Sequence, residues 1–316
     1  MESHQEKLVA KITNLYEKLS SLEDLSPSNH VNTLFTNLVA TCLTPSDIDV
    51  TKLSERVEEM RSKLIKLCGK AEGLLEGHFS KLIGSHAYPL DHINVFPYYS
   101  NYLKLTHLEF SMLQKDCTKL PSRVAFIGSG PLPLTPIILA TKHLINTAFH
   151  NYDLDSSANA KAQKLVSSDP DLSKRMFFHT ADIMNVSSGL KEYEVVFLAA
   201  LVGMDKEEKA AVIRHLAEHM APGAFLLLRS AHGARAFLYP VIDPCDLQGF
   251  QVLSVFHPTD EVVNSVIIAR KNPRSPILSW NQEFDSANLP PTKCSEIQCF
   301  NPLNHGNLFE ELAIDE

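Results

Sequence analysis

The chain has 316 residues, of which 44% are hydrophobic and 21% charged, enough apolar material for one large core or two smaller ones. A formal net charge of -8 argues against a nucleic-acid enzyme, because neutralising phosphates takes a basic face. No run approaches the ~20 apolar residues of a membrane span, and Glu2 and Glu6 stand where a secretory leader would turn basic and then apolar.

Cys42, Cys68, Cys117, Cys245, Cys294 and Cys299 are scattered and none forms a C-x-x-C pair. In a chain of this size they point to reduced thiols, hence to a cytoplasmic protein without a disulfide framework or zinc site. His215 and His219 share a helix face, but the run lacks the H-E-x-x-H order and a third ligand, so no metal is expected there.

The front of the chain repeats with a helical period. Leu8, Ile12, Leu15, Leu19 and Leu22 fall on one face. A shorter helix is expected over 32–42. Leu53, Val57, Met60, Leu64, Leu67, Ala71 and Leu74 continue the rhythm after a helix-start signal at Pro45-Ser46-Asp47. A fourth apolar helix is expected over about 98–113. Short connections make residues 1–120 an antiparallel helical bundle.

From Arg123 the character changes. The runs VAFIG, TAFHNYD, MFFHTAD, EVVFLAA and AFLLLRS alternate with helical stretches, which predicts a parallel sheet with helices on both faces. The last two runs, FQVLSVFHP and VVNSVIIAR, are joined by too little chain for a crossover and should pair antiparallel. The expected fold class is therefore α/β: a helical bundle followed by a methyltransferase-like Rossmann sheet over residues 121–272. Residues 273–316, rich in Pro, Asn and Ser, read as an irregular tail.

The sharpest local signal is Gly128-Ser129-Gly130-Pro131-Leu132-Pro133, after one expected strand and before a helix. Pro133 replaces the third glycine of a dinucleotide fingerprint, and a lone G-x-G serves equally as a ligand loop or a tight turn. Asp153 ends the second expected strand, where an acid accepts ribose hydroxyls; Asp155 is better placed to cap the next helix. Asp182 ends the third, with Ile183 beside it, as an adenine-binding pair or as a plain turn cap. The fourth ends in the small apolar run 198–204. Together these stations favour S-adenosylmethionine over NAD. Arg229, His232 and Arg235 follow the fifth strand, on the ligand-binding rim. Arg235, with His232, is the candidate clamp for a substrate carboxylate, a structural salt bridge being the alternative.

The segments Gly84-Ser85-His86-Ala87-Tyr88-Pro89-Leu90-Asp91-His92-Ile93-Asn94-Val95-Phe96-Pro97-Tyr98-Tyr99-Ser100-Asn101-Tyr102, Phe126 to Pro133 and Arg229 to Pro240 resemble the signature stretches of nicotianamine synthases, most closely the land-plant branch. The resemblance implies that three S-adenosylmethionine molecules are joined by aminopropyl transfer into nicotianamine, with three methylthioadenosines released. It implies no cofactor beyond S-adenosylmethionine, itself the substrate, and leaves the oligomeric state open. The amine nucleophile must lose a proton. Glu76, in the apolar setting Leu75-Glu76-Gly77-His78-Phe79, is the candidate base, and the family pairs such a glutamate with a tyrosine. Tyr102 is the choice, with Tyr98 and Tyr99 as rivals and Glu109 as the rival base. A small-molecule N-methyltransferase and a non-catalytic S-adenosylmethionine-binding regulator are the alternative functions.

Overall fold

The computed structural model describes residues 4–46 and 48–273. The expected tail, from residue 274 onward, lies outside the described residues. Helix α1 (His4–Ser20) buries Leu8, Ile12, Leu15 and Leu19, the stripe expected from their spacing. Helix α2 (Asn29–Cys42) starts where the Ser28 side chain accepts the Val31 N–H.

Helix α3 (Glu55–Ile83) is 29 residues long and opens at Ser54, not at the Pro45-Ser46-Asp47 signal. The reason is local. Asp49 accepts the Thr51 N–H and caps a single 3-10 turn, Val50–Lys52, after which Leu53 is extended. The acidic residues that suit a helix start, Glu55 and Glu58, fall in the first turn of α3. Helix α4 spans Tyr99–Asp116.

The strands are β1 (Arg123–Ile127), β2 (Ala148–Asp153), β3 (Met176–Thr180), β4 (Val195–Leu198), β5 (Phe225–Ser230), β6 (Phe250–Phe256) and β7 (Ser265–Lys271). They form one seven-stranded sheet in the order β3-β2-β1-β4-β5-β7-β6. The first five run parallel and the last two form the expected antiparallel hairpin. The connecting helices are α5 (Leu134–Ile138), α6 (Ser156–Val166), α7 (Leu172–Arg175) and α8 (Lys206–His219).

Alternation along β1 sends Ala125 and Ile127 into one core, with Val212, Ile213 and Leu216 of α8. It sends Val124 and Phe126 into the other, with Leu105, Phe110, Met112 and Leu113 of α4. One helix of the front thus covers a face of the sheet. The remaining front helices share a core with Ala234, Phe237, Leu238 and Val263, from the loops beyond β5 and before β7. Among the described residues no helix is long and apolar enough to cross a membrane.

Candidate active site

In a doubly wound sheet the ligand crevice opens where neighbouring strands send their connections to opposite faces. Here that point lies between β1 and β4. After β1 the chain turns through Gly128 at φ 79° and Gly130 at φ 65°, a region that L side chains rarely occupy. The Gly128 and Ser129 N–H groups donate to the Tyr152 carbonyl. The Gly130 N–H donates to Asp153 Oδ2 at 2.8 Å, so the carboxylate at the end of β2 fixes the glycine turn. Its other oxygen accepts the Asp155 N–H at 2.9 Å. Asp155 caps α6 through Ser157, as expected.

Asp182 accepts the Met184 N–H at 2.9 Å and so caps a short 3-10 turn. It also lines, with Ile183, a cavity of about 1440 Å³ bounded by Gly128, Ser129, Gly130 and Asp153. Asp182 is thus a turn cap that also lines the cavity. The loop 199–204 after β4 forms another wall. The buried Lys209 secures it, donating from Nζ to the Ala200 carbonyl at 2.8 Å. Burial pulls this ammonium down to about 7.

Helix α3 roofs the cavity. Glu76, 9% exposed, faces the glycine turn so closely that a Cβ on Gly130 would stand 2.8 Å from its Oε2. The Tyr102 hydroxyl donates to Glu76 Oε1 at 3.0 Å and lies 3.3 Å from Glu72 Oε1. The Tyr239 hydroxyl donates to Glu72 Oε2 at 2.9 Å. Two carboxyl groups, one turn apart on α3, are thus bridged by one phenol, Tyr102, while a second, Tyr239, holds Glu72 alone. Burial, then the neighbouring Glu72 charge, pushes the Glu76 carboxyl well above its usual range; the Tyr102 bond pulls partly back. Burial raises Glu72 as well, against the hydrogen bonds from Tyr239 and Tyr102. Tyr102 is itself raised by burial and by both glutamates, and stays a phenol.

The rivals lie elsewhere. Glu109, 1% exposed, is held in a two-toothed ion pair by Arg229, with contacts of 2.6 and 2.9 Å. The same guanidinium donates to Thr135 Oγ1. Glu109 is thus the partner of a buried cation and not a base facing the cavity. Tyr98 lines a second, smaller cavity, and Tyr99 lines neither. Arg235 and His232 are not brought to the site. Arg235 donates to the Asp260 carbonyl at 2.6 Å, and His232 stacks on His257 with ring centroids 4.2 Å apart. The 3-10 turn Gly233–Phe237 carries both past the rim, leaving Arg229 as the arginine that lines the cavity.

His215 bonds the Val186 carbonyl, and no group of three or more metal-ligating side chains occurs among the described residues. Cys42, Cys68 and Cys117 are free thiols.

Sequence reasoning missed Glu72, Tyr239, Lys209 and Asn264, all lining or bracing the cavity. Glu72 carried a usable signal, standing one helical turn before Glu76. Tyr239 stood inside the stretch Arg229 to Pro240 and Lys209 nine residues beyond Ala200, with no pattern to mark either, and Asn264 reaches the cavity from a distant part of the chain.

Comparisons with known proteins give the family and the fold. A family model described as "Nicotianamine synthase protein" matches residues 1–275. The chain is 60% identical to the nicotianamine synthase of Solanum lycopersicum over 313 residues, covering 98% of each. It is 56% identical to nicotianamine synthase 3 of Arabidopsis thaliana over 319 residues, covering 100% of this chain and 99% of that one. The crystal structure of MtNAS in complex with MTA and tNA superposes with a TM-score of 0.71 at 22% identity, over 84% of this chain and 98% of that one, a likeness of fold. With relatives more than half identical across nearly their whole length, and a family model matched from the first helix to the last strand, the chain belongs to the nicotianamine synthase family.

Proposed function

We propose that the chain makes nicotianamine, passing aminopropyl groups among three S-adenosylmethionine molecules and releasing three 5'-methylthioadenosines. The observation that carries the mechanism is the Glu76–Tyr102 pair, buried against the glycine turn at the head of a cavity of about 1440 Å³. Pockets for one drug-sized ligand run to roughly 300–1,000 Å³, so this one has room for a nucleoside and a second amino acid.

Gly128, Ser129 and Gly130 approach the nucleoside with backbone only, Asp153 takes the ribose hydroxyls, and Asp182 with Ile183 takes adenine. The sulfonium activates three carbons; position selects which one reacts. An amine held about 3 Å from the carbon two bonds beyond Cα, in line with the C–S bond, forms C–N as C–S breaks. The bonding pair returns to sulfur, leaving a neutral thioether. The attacking amine must first be free of its proton, and an α-ammonium group loses it at roughly pH 7.7–8.0. Glu76 receives that proton. Its raised carboxyl is the better match to the amine for being buried, and Tyr102 holds it in place. The helices over 1–120 serve as the roof and the sheet over 121–272 as the nucleotide floor, in a protein that we place in the cytoplasm.

The test is mass spectrometry of the purified protein incubated with S-adenosylmethionine alone. Nicotianamine and methylthioadenosine are expected. S-adenosylhomocysteine in their place would make it a methyltransferase, and binding without turnover a regulator.

A further inference from the structure

A second cavity of about 180 Å³ lies behind the first, walled by Val31, Phe35, Thr36 and Val39 of α2 and by Tyr98. Five residues line both cavities: Pro27, Glu72, Tyr102, Tyr239 and Asn264. Tyr102 and Tyr239 spend their hydroxyls on Glu72 and Glu76. Asn264, only 7% exposed, supplies the one side-chain N–H of this shared wall, and its Nδ2 has no hydrogen-bond partner. A buried amide left unpaired is costly, and this one stands on the wall that the two cavities share.

The acceptor groups of the substrate are adenine nitrogens, ribose oxygens and an α-carboxylate. The stations proposed for the nucleoside, Gly128, Gly130, Asp153 and Asp182, line the first cavity alone. What reaches the shared wall is therefore the amino-acid end. We propose that Asn264 is a substrate-binding residue, its Nδ2 donating to the α-carboxylate of the acceptor molecule where the two cavities meet. The bond holds the acceptor so that its amine stays at Glu76. Glu72 does not forbid a carboxylate nearby: its two oxygens face the Tyr102 and Tyr239 hydroxyls, and burial raises its carboxyl.

This inference rests on the site being the aminopropyl-transfer site, and the test separates the two. Nicotianamine and methylthioadenosine are each titrated by calorimetry into the wild type, Asn264→Ala and Asn264→Asp. The aspartate is isosteric, but replaces the donor with an acceptor. Nicotianamine affinity is expected to fall about tenfold in Asn264→Ala, the scale of a hydrogen bond to a charged group, and further in Asn264→Asp. Methylthioadenosine affinity should stay within about twofold of wild type, since it reads only the nucleoside stations. Incubated with S-adenosylmethionine, both variants should release more methylthioadenosine per nicotianamine than the wild type, as partial chains escape. Unchanged nicotianamine affinity in both variants overturns the assignment, and an equal loss of both ligands overturns it in favour of a structural role. A wild type that makes no nicotianamine would instead sink the reading of the site as a whole.

Discussion

At the residue scale the proposed chemistry depends on one carboxyl group, Glu76, being held out of water. Glu76→Gln preserves the shape and the Tyr102 contact but cannot accept a proton. S-adenosylmethionine binding should survive and kcat should fall on the order of 10²–10⁴-fold. Tyr102→Phe should lose less, since only orientation goes. Single-turnover kinetics with calorimetry checks both, and a Glu76→Gln variant that turns over normally would unseat the base. The same burial has a consequence for stability. The folded-state value of Glu76 is raised above its ordinary 4.5, so between 4.5 and the raised value the folded protein holds a proton that the unfolded chain has released. Stability from this group is complete below 4.5 and is lost as pH climbs through the raised value. The melting temperature of Glu76→Gln relative to wild type should therefore increase with pH above 4.5. Parallel melting curves at every pH would mean that Glu76 is ionised in the fold.

At the scale of elements, a long helix and two loops bring the parts together. Helix α3 carries Glu72 and Glu76 on one face, and a 3.6-residue repeat aligns side chains four apart. The loop 199–204 is tied to β1 at Ala199, whose N–H donates to the Ile127 carbonyl, and Lys209 pins it further along through the Ala200 carbonyl. Lys209→Met keeps most of the buried stem and removes the donor. KM for S-adenosylmethionine should rise about tenfold with kcat little changed, because a wall of the nucleoside pocket loosens while Glu76 stays in place. Steady-state kinetics decides it: equal losses in kcat and kcat/KM would place Lys209 in the chemistry instead.

At the scale of the molecule, the helical front and the sheet are not packed as two separate bodies. Leu105, Phe110, Met112 and Leu113 of α4 belong to the core on one face of the sheet, and Phe237 and Leu238 belong to the core of the front helices. A fragment of residues 121–273, cut near the change in sequence character, would expose both surfaces. It should fail to melt cooperatively, since a helix contributing four buried apolar side chains removes several times about 1.5–3 kcal/mol. A cooperative calorimetric transition from that fragment would show that the sheet stands alone.

The helices, the seven strands and the final hairpin were legible because each is written locally: the period of Leu8, Ile12, Leu15 and Leu19, the alternating runs after Arg123, and the short hairpin connection. The start of α3 was misread because Asp49 caps its own short turn, a contest between neighbouring hydrogen bonds that composition does not settle. At the site, the glycine turn and Asp153 stand at strand ends, where pattern finds them, and their hydrogen bond follows from adjacent parallel strands. Glu76 and Tyr102 came from an apolar context and a family likeness. The rest lay beyond any local pattern. Tyr239 reaches Glu72, and Asn264 the same cavity, only because loops after β5 and before β7 fold under α3. Glu109 and Arg229 look as reactive as Glu76 and Arg235 on paper, until packing places the first two in each other's grip and carries Arg235 off the rim. Which charges face the cavity is set by how helices and sheet close on each other, and that closure is a sum of long-range contacts that no stretch of sequence contains.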